Sequence, residues 1–229
     1  MEEREVPRSA MGRWETVAAL VWLPIHVLGL PLLLVRLLPG ITATGLNFWT
    51  YVFGCGFLML FCIRFLRRDF DRLWERPLYI LGQAVLGLFL LLAANILLSL
   101  VLTPFLPQDN PNNQALLDLA KRDRARITAA TVVLAPILEE LIFRGGLFGL
   151  LRRWSRVAAY AVCLLVFAVY HTWQYALEDP IYWLYLLEYL PAGWLLCRSY
   201  EKTECIWTPI LLHILNNSLS LWALQGMGG

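Results

Sequence analysis

The chain has 229 residues, of which 59% are apolar and 16% charged, with a mean hydropathy of +0.60. A soluble domain is nearer ~45–50% apolar and ~25% charged, so composition excludes a water-soluble globular protein and indicates an integral membrane one. The net charge of +2 is too small to suggest a nucleic-acid partner.

Apolar runs at 15–38, 45–66, 78–104, 127–151, 157–177, 181–197 and 206–224 are each near the ~20 residues a helix needs to cross a bilayer. They predict an all-α, polytopic membrane helix bundle of about seven transmembrane helices, folded as a single integral membrane domain. The first run is too long for a signal-peptide core and no small-residue cleavage site accompanies it, so it reads as a retained span. Between the third and fourth runs, 112–126 reads as a polar turn and a short amphipathic helix. Leu116, Leu117 and Leu119 share one side of it, which suits a helix lying on the membrane surface or, with a different number of spans, a cytoplasmic segment. The sixth run is the shortest. Pro191 and Gly193 interrupt it, as in a re-entrant segment.

Tryptophans such as Trp14, Trp49, Trp154, Trp173, Trp183, Trp207 and Trp222 cluster near the ends of the runs, as in the aromatic belt of a bilayer interface. The five cysteines, Cys55, Cys62, Cys163, Cys197 and Cys205, show no CxxC spacing and read as packing residues. Asn216-Asn217-Ser218 matches a glycosylation sequon but falls inside a run, where no glycan is expected.

Lysine and arginine set the expected orientation. Alternate loops, beginning with the N-terminus (Arg4, Arg8, Arg13), hold thirteen of the nineteen, and the opposite side holds five, four of them at 121–126. The positive-inside rule therefore predicts a cytoplasmic N-terminus and a C-terminus outside.

The remaining arginine, Arg144, lies inside the fourth run with Glu139 and Glu140. Charges at that depth cost a few kcal/mol or more, about 3 at least, and persist only when paired or used. Two later runs carry His171 and His213, the latter four residues before Asn217. At 1.5 Å rise per residue, Glu139 lies ~20 Å from the cytoplasmic flank, His171 ~22 Å, His213 ~10 Å and Asn217 ~16 Å, close enough in depth to converge. Glu140 and Arg144 share a helix face, as do His213 and Asn217. Glu139 points about 100° away from Glu140, which separates their expected jobs. Glu140–Arg144 reads most simply as a structural ion pair, and His213 and Asn217, taken singly, as interhelical hydrogen-bonding groups. Glu139 has no second cation in its span. That suits a general base or a metal ligand.

These residues resemble the motifs of the CAAX-processing and bacteriocin-immunity (Abi, or CPBP) family of intramembrane proteases. Glu139-Glu140-x-x-x-Arg144 is similar to the first motif, Phe167-x-x-x-His171 to the second and His213-x-x-x-Asn217 to the third. The flanks Ala135-Pro136, Phe143-Arg144-Gly145 and Thr208-Pro209-Ile210-Leu211-Leu212 match as well. The resemblance covers roughly 127–220, which makes the last four spans (127–224) the expected catalytic core and leaves 1–126 without motifs. One departure is visible: the family often has two glycines four apart in the sixth span, and here Gly193 has Tyr189 in the partner position.

The resemblance implies hydrolysis of a peptide bond within or beside the membrane. Glu139 would activate a water that His171 helps to position, and His213 and Asn217 would hold the oxyanion. Glu140 and Arg144 would support them from behind. A zinc-dependent version remains open on the same residues: Glu139, His171 and His213 make a two-histidine, one-carboxylate site with a free water position. The absence of His-Glu-x-x-His spacing and the pairing of His213 with Asn217 favour the metal-free version. Two readings from other classes use the same composition, a proton-coupled transporter and a non-enzymatic immunity or scaffold protein. No internal repeat supports the first, and no lost motif residue supports the second. The expected partners are the lipid bilayer and a membrane-associated protein or peptide, with no prenyl-binding signature to say whether it is prenylated. Glu188, in the sixth run, reads either as a snorkelling interfacial acid or as a residue facing a water-filled cavity or a substrate entrance.

Overall fold

The structure, a computed structural model, describes residues 10–106 and 110–227. Arg4 and Arg8, counted in the charge asymmetry, lie outside the described residues. Nine helices follow one another among the described residues, with no strand: α1 (Arg13–Leu37), α2 (Ala43–Phe61), α3 (Ile63–Glu75), α4 (Pro77–Leu102), α5 (Pro111–Arg122), α6 (124–152), α7 (Arg156–Glu178), α8 (Leu186–Thr203) and α9 (Trp207–Met227). The all-α expectation holds. By length and composition, α1, α2, α4 with its extension to Phe105, and α7 are able to cross a membrane. The other three predicted runs fall on α6, α8 and α9, and α6 carries three charges in its middle.

Local chemistry explains the boundaries. Thr42 and Ser155 cap α2 and α7 by accepting from the amides of Gly45 and Ala158. Pro77 and Pro111 open α4 and α5, where a missing N–H costs nothing. The predicted second span, 45–66, overshoots. The backbone turns at Cys62, and the strongly amphipathic α3 begins, burying Phe65, Leu66 and Asp69 while Arg64, Arg67 and Arg68 face outward.

Two more runs take a definite shape. In α5, Leu116 and Leu119 pack inward against Ala120, Ile127 and Leu221. The sixth run is continuous despite its proline and glycine. A 3-10 turn at Pro180–Tyr185 leads into one α-helix that passes through Pro191.

Helices α1 and α6 contain wide π-helical turns, Ile25–Gly29 and Ala129–Leu134. Each ends two residues before a proline, Pro31 and Pro136. Proline cannot bond to the carbonyl four residues back and its ring pushes that carbonyl away, so the preceding turn opens. A third wide turn, Leu141–Phe148, spans Gly145 and Gly146. These glycines let α1 approach: a Cβ on Gly146 would stand 3.1 Å from the Ala19 Cβ, and one on Gly145 would collide with Met11.

The basic loops gather at one end of the bundle. Glu201 accepts from Arg152 (2.7 Å), Arg156 (2.8 Å) and Tyr160 (2.9 Å). Arg68 and Arg153 donate to the carbonyls of Ala10 and Met11. At the same end Asp69 accepts from the Ile206 amide at 2.8 Å, just after Glu204 ends α8 in a left-handed conformation. Arg72 donates to the Glu204 carbonyl at 2.8 Å. This latch sets the start of α9 and so the depth of His213.

Candidate active site

Three helices bring the motif residues together. Glu139 and Glu140 sit on α6 between its wide turns, His171 on α7, and His213 and Asn217 one turn apart on α9. A cavity of about 750 Å³ is lined by Glu139, His171, His213 and Asn217. Glu140 and Arg144 do not reach it. They lie fully buried behind, as the separated faces of the two acids require.

The supporting layer is an ion pair with extra partners. Arg144 donates to Glu140 Oε1 at 2.9 Å and to the Gly193 carbonyl at 3.4 Å, with its guanidinium 4.3 Å above the Phe167 ring. A buried pair of this kind is sustained when further groups satisfy it. Glu140 Oε1 also lies 2.7 Å from His213 Nδ1. The sequence predicts different jobs for the two acids, with Glu140 supporting Glu139 from behind. The link between them runs through His213, whose Nε2 lies 3.8 Å from Glu139 Oε2.

Partner chemistry assigns the tautomers. A carboxylate and a carbonyl can only accept, so His213 Nδ1 donates to Glu140, and His171 Nδ1 donates to the Phe167 carbonyl at 2.9 Å. In the neutral imidazoles both Nε2 atoms then carry lone pairs. Both face Glu139 Oε2, from 3.7 Å for His171 and 3.8 Å for His213. Glu139 Oε2 is buried without a hydrogen-bond partner. Three acceptors thus converge with no donor among them, which is the electrostatic complement of a water molecule or a cation. Two imidazole nitrogens and a carboxylate, each histidine braced at its other nitrogen, form a donor set that fits zinc chemically. Among the described residues no group of three or more His, Cys, Asp or Glu stands at metal-ligand spacing.

Asn217 donates from Nδ2 to the Thr131 carbonyl at 3.0 Å, a carbonyl in the wide turn of α6, and keeps a second N–H for the cavity. His171 is boxed by aromatic rings. Phe167 lies at 4.6 Å, Tyr170 meets it edge-on at 5.0 Å, and Tyr189 stacks at 4.6 Å with planes 24° apart. The departure at Tyr189 is therefore a contact with the second-motif histidine. Gly193 keeps its own place, close to Leu164 and bonded through its carbonyl to Arg144.

Sequence reasoning passed over several residues of this cavity. Tyr51 on α2 interacts with the Glu139 carboxylate, and its hydroxyl lies 3.4 Å from that of Tyr170. His26, the third histidine, lies in the wide turn of α1, buried, 4.9 Å from the Tyr51 ring, and lines the same cavity. The usable signals were a histidine flanked by Pro24 and Pro31, and the polar face Asn47-Thr50-Tyr51 in an otherwise apolar helix. Glu188 also lines the cavity, bonded to Asn110 Nδ2 at 2.7 Å.

Residues 123–219 match the family model described as Rce1-like, type II CAAX prenyl endopeptidase Rce1-like. The chain is similar to the protein named "Putative membrane peptidase YdiL" of Bacillus subtilis (strain 168), 30% identical over 112 residues, which are 48% of this chain and 42% of that one. It is also similar to "Membrane-embedded CAAX protease MroQ" of Staphylococcus aureus (strain USA300), 28% identical over 152 residues, 62% of this chain and 58% of the other. The matched stretches span about half the length of these curated relatives. No solved structure matches. The segment that this family model matches, residues 123–219, is the one that carries all three motifs.

Proposed function

We propose that the protein is an intramembrane endopeptidase acting on a membrane-associated protein or peptide, with Glu139, His171, His213 and Asn217 as its catalytic residues. The observation that carries this reading is the convergence of Glu139 Oε2 and the two histidine Nε2 atoms on one point of the cavity. A water there donates its protons to acceptors and aims a lone pair outward. Glu139 takes one proton as the oxygen attacks the scissile carbonyl. The Asn217 amide donates to the oxyanion. His213 Nε2 takes the proton left on the attacking oxygen and donates it to the oxyanion, with Glu140 placed at Nδ1 to balance the ring's charge. The proton on Glu139 then passes to the leaving amine, and His213 returns its proton as the peptide bond breaks into a carboxylic acid and an amine. His171, fixed between Phe167 and Tyr189, holds the water in line. We place the end of the bundle that gathers Arg68, Arg72, Arg152, Arg153 and Arg156 in the cytoplasm.

The bare Nε2 atoms also support a second reading, in which Glu139, His171 and His213 hold a zinc ion. Bound there, zinc would supply an acidified water and polarise the carbonyl. Exhaustive chelation of the purified protein in lipid separates the two readings. Peptide cleavage that survives chelation supports the glutamate base. Cleavage lost on chelation and restored by zinc supports the metal.

A further inference from the structure

The cavity has a charge pattern that peptide hydrolysis itself does not use. Its lining contains two carboxylates, Glu139 and Glu188, and, among the described residues, no lysine or arginine. Three other buried or partly buried acids each have an arginine: Glu140 has Arg144, Asp69 has Arg72, and Glu201 has Arg152 and Arg156. Glu188 has none among the described residues. Its Oε2 accepts from Asn110 at 2.7 Å, and its Oε1 has no hydrogen-bond partner there. Asn110 is itself held, accepting from the Asn112 amide at 3.0 Å and lying 3.3 Å from the Tyr189 hydroxyl. The carboxylate is therefore fixed at the cavity wall with one oxygen to spare.

It lines the same cavity as the reacting centre and is joined to it through one neighbouring residue. Glu188 immediately precedes Tyr189, whose ring stacks on His171, and His171 Nε2 lies 3.7 Å from Glu139 Oε2. Consecutive residues of an extended substrate are about 3.8 Å apart, and Glu188 and Glu139 both line the cavity that such a substrate would occupy. Trp173 and Tyr175 line the same cavity with Tyr189. An acid beside aromatic faces is the chemistry that receives an ammonium or guanidinium group. A carboxylate at membrane depth without a cation of its own is costly unless something pairs with it.

Resting on the hydrolytic reading of this cavity, we propose that Glu188 selects a substrate with a lysine or arginine within a residue or two of the scissile bond. A free C-terminal carboxylate at that place would instead face two acids and no cation. The substrate class is then a membrane-bound peptide cut at an internal bond next to a basic residue.

The test uses the full chain in lipid nanodiscs and quenched fluorogenic apolar peptides carrying Lys, norleucine or Glu at one position after another. At the responsive position, kcat/KM is expected to be about tenfold higher for Lys than for norleucine, and lowest for Glu. Glu188→Gln, which can still accept from Asn110, should leave Lys and norleucine peptides cleaved alike. Glu188→Lys should favour the Glu peptide. Wild-type protein without a charge preference overturns the proposal, and so does an equal fall for all peptides in Glu188→Gln with the Lys preference kept. Binding of the same peptides to Glu139→Gln protein separates this inference from the hydrolytic reading. Lys-selective binding to it without cleavage by the wild type keeps the inference and defeats hydrolysis. Cleavage without selectivity does the reverse, and absence of both defeats both.

Discussion

Glu140 Oε1 stands 2.7 Å from His213 Nδ1 while it accepts from Arg144 at 2.9 Å, so one buried oxygen ties the first motif to the third. The neighbouring acid, Glu139, faces the other nitrogen of the same ring. Two carboxylates adjacent in sequence thus lie at opposite edges of one imidazole, and only Glu139 opens on the cavity.

Breaking the ion pair should cost stability first. Arg144→Ala leaves Glu140 as an uncompensated buried charge, a loss of about 3–5 kcal/mol. The expected result is a sharp fall in folded protein, measured by thermal unfolding in detergent. A variant that is as stable as wild type but inactive would move Arg144 into the chemistry.

Tyr189 should act through its ring. Tyr189→Phe keeps the stack on His171 and should retain most of the activity, losing the hydroxyl contacts to Asn110 and Asn112. Tyr189→Ala removes the stack, worth about 0.5–1.5 kcal/mol between aromatic rings, and should lower kcat several-fold more than it changes KM. Equal activity in all three proteins would show that His171 is held without it.

Asn217→Ala removes one oxyanion donor and should slow turnover by about 10²–10³. Its bond to the Thr131 carbonyl also steadies the wide turn of α6. Thr131→Val keeps that carbonyl, so it should leave turnover close to wild type. A loss in Thr131→Val as deep as in Asn217→Ala would mean that packing rather than the amide decides the rate.

Acid should loosen the basic end of the bundle. Burial by itself works against charge on Glu201, but its bonds from Arg156, Arg152 and Tyr160 hold its carboxyl below the usual glutamate range. A carboxylate with a depressed folded value contributes stability that is present above the ordinary range and lost as pH falls through the folded value. Melting temperature should therefore drop on the acid side for wild type, and less steeply for Glu201→Gln. Parallel curves would remove Glu201 as the cause.

Much of this was legible in the residues. Charges and histidines inside apolar runs are expensive, so Glu139, Glu140, Arg144, His171 and His213 stood out, and helical rise put them at converging depth. Period alone does not say which neighbour meets which face. The bond from His213 to Glu140, the tyrosines 51, 170 and 189 around the centre, and His26 all depend on how separate helices pack. The end of the second span was misread because Phe65 and Leu66 continue the apolar run into α3, where they become the buried face of an amphipathic helix. The inward packing of α5 was not legible because Leu116 and Leu119 suit a membrane surface as well as a protein core.

The proposed hydrolysis turns on Glu139 as the base. Glu139→Gln keeps the size and hydrogen-bonding reach of the side chain and removes its basicity. The measurement is single-turnover cleavage of a fluorogenic peptide by the purified variant in lipid, beside its melting temperature. The account predicts wild-type melting with cleavage reduced to background. Cleavage at the wild-type rate by a folded Glu139→Gln protein would contradict it.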